Sequence, residues 1–112
     1  MEHLLANARE FFESAEDNLV KKRFNAATSD FFKSMVVSCD YLIYGEIKRL
    51  PKNHADRFVL LERYFPSIYS IVSKLFKSYT DSYNLKSTEE EAKKFKEYAE
   101  KIEEFVRNKK RA

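Results

Sequence analysis

The chain has little of what bends or staples a fold. It carries one glycine, two prolines, one cysteine and no tryptophan in 112 residues. So few turn formers argue against hairpins and the sheets built from them. A single cysteine, Cys39, cannot close an internal disulfide, so packing alone must hold the chain. One cysteine in a small domain fits a reducing, cytoplasmic setting. No apolar run approaches the roughly 20 residues a membrane span needs. The opening residues, MEHLLANARE, lack the long apolar stretch of a signal peptide, so no membrane association is expected.

Metal and cofactor chemistry is equally poorly supplied. The two histidines, His3 and His54, and Cys39 do not have zinc-site spacing. No Glu-x-x-His pattern offers a carboxylate metal site. There is no glycine-rich phosphate loop, no dinucleotide fingerprint and no Ser-His-Asp arrangement, so no cofactor is expected.

Apolar bulk is plentiful, with ten Phe and seven Tyr. A chain of this length reads as one domain, residues 1–112, able to bury a core. The fold class is all-α. Charge is balanced: 21 basic against 18 acidic residues, net +3, mixed along most of the chain. That describes an ordinary polar surface rather than a strong nucleic-acid footprint. Basic residues gather at Lys21–Arg23, at Lys48, Arg49 and Lys52, and in a basic tail over about 107–112.

The segment Phe24–Ile47 organises the rest. Its apolar residues recur at 24, 27, 31, 35, 39 and 42, and again at 32, 36, 43 and 47. That is helical spacing on two adjoining faces, which makes this the central helix of a bundle. Its stop is expected at Leu50-Pro51, because the residue before proline leaves the helical region. An earlier helix over about Glu2–Lys22 presents Leu4, Leu5, Ala8, Phe12, Ala15 and Leu19. The short link between the two makes them antiparallel neighbours. Asn53 caps a short helix over about His54–Tyr64, with Asp56 in its first turn. A fourth helix runs from Pro66 to about Ser82, with Ile68, Ile71, Val72, Leu75, Phe76, Tyr79 and Tyr83 inward. A capping box at Ser87 or Thr88 opens the last helix, to about Arg107, which turns Ala92, Phe95, Ala99, Ile102 and Val106 inward.

Four stretches taken together resemble the HEPN family, the higher eukaryotes and prokaryotes nucleotide-binding domain. They are AREFFESAEDNL, the long RFNAATSDFFKSMVVSCDYLIY, the short PKNHADRFVLL, and SYTDSYNLKSTEEEAKKFKEYAEKIEEFV. The resemblance spans about Ala8 to Val106. It implies an up-and-down bundle of four main helices, with one short helix between the second and third long ones. It also implies a homodimer. Some family members are metal-independent ribonucleases with an Arg, four to six residues, then His, paired across the dimer. Others act as nucleotide- or RNA-binding modules, or partner small nucleotidyltransferases in toxin–antitoxin-like systems.

Arg49 and His54 have the ribonuclease spacing. An imidazole can shuttle protons near neutral pH, and a guanidinium can steady phosphorane-like charge. Their location argues otherwise. They sit in the loop after the second helix, whereas the family's pair lies on a later helix, where this chain reads SYTDSYN with no Arg or His. The binding-module reading is therefore preferred, with the ribonuclease as alternative. Lys52, His54 and Arg57 form a candidate anion site at a helix N-terminus. Tyr79, Asp81 and Tyr83 form a candidate groove floor for a base or ribose.

Overall fold

The computed structural model describes residues 1–81 and 83–111. Five helices follow in order: α1 (Glu2–Val20), α2 (Phe24–Ile47), α3 (His54–Tyr64), α4 (Pro66–Asp81) and α5 (Glu89–Arg111). No strand occurs among the described residues. None of the helices is long and apolar enough to cross a membrane.

Helix α2 is central because its apolar arc is wide. Ala27, Phe31, Phe32, Met35, Cys39, Leu42 and Ile43 are all buried along it. Helices α1, α3, α4 and α5 each pack against α2. Small residues set the closest contact: Ser34 Oγ donates to the carbonyl of Ala8 at 2.8 Å, and Ala8, Ala15 and Ala27 are buried. Phe12 meets Phe31 edge-on at 5.3 Å. Ser14 and Asn18 both donate to Asp30. These pairs run in opposite senses along the two helices, so α1 and α2 are antiparallel.

Helix α5 runs with α2. Asn25 holds the loop before α5 through Leu85 and Ser87, and further along Phe32 meets Phe95. The ion pairs Glu16–Lys96, Arg9–Glu103 and Glu2–Lys110 string α1 along α5 in the opposite sense. The five inward positions expected on α5, Ala92, Phe95, Ala99, Ile102 and Val106, are all buried. One core cluster draws on all five helices and on Phe65 between α3 and α4.

The caps follow local chemistry. The Asn53 side chain accepts from the Asp56 N–H at 2.8 Å, and Thr88 Oγ1 accepts from the Glu91 N–H at 3.0 Å. Thr88, not Ser87, is therefore the cap of α5. Three boundaries depart from the expectation. Helix α1 stops at Val20, because Lys22 turns left-handed at φ 61°. Helix α2 stops at Ile47, before the proline, because Lys48 is left-handed at φ 59° and its N–H closes on the Tyr44 carbonyl. Residues 107–111 belong to α5 rather than to a tail: positive charge at a helix C-terminus favours continuing the helix. The expected end of α4 at Ser82 lies outside the described residues, and Tyr83 stands past the helix, 66% exposed.

Candidate functional site

The stacking of α3 and α4 beside α2 leaves a groove on one face, with α1 along its other side. Its cavity volume is 480 Å³, within the range of about 300–1,000 Å³ that small-molecule sites occupy. Helix α2 lines it with Phe32, Lys33, Val36, Val37 and Asp40. Phe11 of α1 and Tyr79 of α4 add aromatic surface, and Asn53, His54 and Arg57 come from the start of α3.

Arg57 is the hub of the polar side. Its Nε donates to Asp40 Oδ1 at 2.7 Å and its Nη2 to Asp40 Oδ2 at 3.1 Å. This is a two-pronged ion pair, with side chains only 12% and 17% exposed. The third prong, Nη1, lies 2.8 Å from His54 Nδ1. A guanidinium only donates, so His54 Nδ1 must accept, which puts the ring in its neutral form with the proton on Nε2. The His54 ring also lies against Phe58 and Phe76, with centroids 6.2 and 5.1 Å away. His54 is exposed overall, but partial desolvation against these rings lowers its pKa, and the Arg57 charge lowers it further, against an opposing pull from Asp40.

The sign of the pH effect follows. With its folded pKa below the ordinary value near 6.5, His54 contributes stability that is complete above that value. The contribution is lost as pH falls through the folded pKa, because the unfolded chain takes up the proton first. Between pH 7.5 and 5, wild type is expected to lose more stability in urea titrations than His54→Gln. Equal losses in both proteins would refute this account of His54.

Lys33 is the groove's unmatched charge. It makes no ion pair among the described residues, and its Nζ lies 6.0 Å from the centroid of the Phe11 ring. Tyr79 stacks on Phe32 at 4.4 Å, and its hydroxyl meets that of Tyr83 at 2.7 Å. Burial and that bond push the Tyr79 pKa up to about 12. Cys39 lies close by in sequence but is fully buried, and burial pushes its thiol pKa well up, so it is inert.

The expected site residues are divided by this geometry. His54, Arg57 and Tyr79 line the groove together. Arg49 is held outside it by Asp56, at 2.9 Å, and also donates to the Leu50 carbonyl. His54 bonds Arg57 instead of Arg49. Lys52 donates its backbone N–H to Asp56, and its side chain is not among the groove's lining. The trio Lys52, His54 and Arg57 therefore does not form an open anion site: Asp40 already matches Arg57. Asp81 bonds Lys77 and lines a different depression with Ser78 and Leu85, apart from Tyr79. Sequence reasoning missed Phe11, Lys33 and Asp40. The available signal was an aromatic, Phe11, lying off the inward stripe of α1.

Two other depressions differ in chemistry. One of 390 Å³ shares Phe11 but is edged by Glu10 and Asp30, the wrong sign for phosphate. Another of 420 Å³ lies between the α1–α2 link and the loop before α5, edged by Lys22, Arg23 and Lys86. No group of three metal-binding side chains occurs among the described residues. No family model, curated protein or solved structure matches the chain.

Proposed function

We propose that the chain is a HEPN-like helical binding module that takes a nucleotide or RNA in the groove beside α2. The observation that carries this reading is the lining itself: aromatic Phe11 and Tyr79, an unmatched Lys33, and the hydrogen-bonding His54 and Asn53 on one concave surface. Aromatic rings beside a cation suit a base and its phosphate. The senses of α1, α2 and α5 support an up-and-down bundle of four main helices with α3 as the short insert, and α4 fits it: Phe65 before its start meets Phe105 near the end of α5, and Tyr79 near its end meets Phe32 in the first half of α2. The family reading brings with it a homodimer, and the single cysteine fits a cytoplasmic setting. Partnership with a small nucleotidyltransferase in a toxin–antitoxin-like system belongs to the same reading.

The ribonuclease alternative gains nothing from the geometry, since Arg49 and His54 are engaged with different partners. Labelled RNA incubated with the protein in EDTA separates the two. Binding without cleavage is expected, unchanged by Arg49→Ala. Cleavage abolished by both Arg49→Ala and His54→Ala, with helical content intact, would overturn the binding-module reading in favour of the enzyme. Absence of binding to any nucleotide or RNA would overturn it outright.

A further inference from the structure

Resting on the nucleotide or RNA reading of this groove, we infer that it holds a single nucleotide unit carrying one phosphate, with Lys33 as the phosphate contact, and selects against nucleoside triphosphates. The unit is either a free nucleoside monophosphate or one unpaired nucleotide within a strand.

The argument is a charge inventory. Four charged or titratable groups among the lining matter: Lys33, Asp40, His54 and Arg57. Three of the five Arg57 N–H donors are engaged and its charge is already matched by Asp40. Two of its nitrogens are bonded to Asp40 and the third faces His54. His54 accepts from Arg57 and is therefore uncharged. Asp40 and Arg57 cancel, which leaves Lys33 as the one uncompensated charge of the lining. An ammonium is a compact point charge that suits one phosphate.

A phosphate monoester carries about −1.5 to −2 at neutral pH, and a diester less. Either can be met by Lys33 with the rest of its charge facing water. A triphosphate would bring much more negative charge into a groove whose one unmatched cation is Lys33. The rest of the lining is uncharged: apolar Phe11, Phe32, Val36 and Val37, with Asn53 and Tyr79 as its neutral polar members. Such a surface accepts a planar base and offers no second unmatched cation to further phosphates.

The test is competition against a fluorescent hexaadenylate RNA, with AMP and ATP as competitors, read by polarisation without added metal. Wild type is compared with Lys33→Ala and with Lys86→Ala, which lies at the other basic depression. AMP is expected to compete about tenfold more strongly than ATP, the scale of one charge-assisted contact. Lys33→Ala should weaken AMP about tenfold and reduce the salt slope of RNA binding by about one. Lys86→Ala should change neither. Lys33 is exposed, so its removal leaves the core untouched, and circular dichroism checks this. Hexaadenylate binding much tighter than AMP assigns the unit to a strand; comparable affinities assign it to the free monophosphate, and both support the inference. ATP competing as well as AMP, or Lys33→Ala without effect while RNA still binds, overturns the inference and leaves the broader reading standing. No binding of RNA, AMP or ATP overturns both.

Discussion

Phe32→Ala is expected to lower the unfolding free energy by about 4 kcal/mol, the usual scale for deleting a buried phenyl ring. In a domain of this size that corresponds to a fall in Tm of roughly 15 °C. The reason lies in what the ring joins. Phe32 is 1% exposed on α2. It stacks on Tyr79 at 4.4 Å, meets Phe76 at 6.1 Å and meets Phe95 at 6.4 Å. One side chain thus ties α2 to both α4 and α5. Its neighbours are large rings that cannot collapse into the gap, so the cavity term adds to the lost burial. Phe32→Leu keeps most of the volume and should cost less than half as much. Since a natural domain is stable by only about 5–15 kcal/mol, the alanine variant should still fold at low temperature. Urea titration at 15 °C measures the loss. A loss under about 2 kcal/mol would mean that the cluster re-packs around the gap, against this account.

The helices were legible because each is amphipathic with period 3.6, and burial obeys that period. The Ala92 to Val106 stripe of α5 and the wide arc of α2 are the plainest cases. The Asn53 cap, and the α5 cap to within the pair Ser87 and Thr88, were legible because a short polar side chain before a helix can accept from an N–H of its first turn. The ends at Val20 and Ile47 were not. They depend on lysines taking left-handed backbone, where sequence reasoning expects glycine or asparagine. At the site, His54 and Arg57 were legible as neighbours three apart on one helix. Asp40 was not, because it reaches Arg57 from a different helix, and only packing brings them together. In the sequence Asp56 is a favourable charge in the first turn of α3. Nothing in the local pattern shows its capture of Arg49, and that capture leaves Arg49 and His54 with different partners. Local pattern reveals elements and caps, whereas ion pairs between helices depend on crossing geometry that no local pattern records.

The Asp40–Arg57 pair should behave as a unit in a double-mutant cycle. Arg57→Ala and Asp40→Ala are each expected to cost about 3 kcal/mol, because each leaves a largely buried charge without its partner. The double variant should cost about 2 kcal/mol less than the sum, which is the coupling of two side chains in direct contact. Arg57→Lys should recover only part of the loss, since an ammonium cannot reproduce the two-pronged geometry at 2.7 and 3.1 Å. A second readout tests the link to His54. Arg57 lowers the His54 pKa and Asp40 raises it, so Arg57→Ala should move the imidazole titration upward and Asp40→Ala should move it downward. Proton NMR of the His54 ring follows both shifts. Additive stability losses together with an unmoved His54 titration would show that the three side chains are independent. In that case the neutral His54 and the matched Arg57 would no longer leave Lys33 as the groove's unmatched charge.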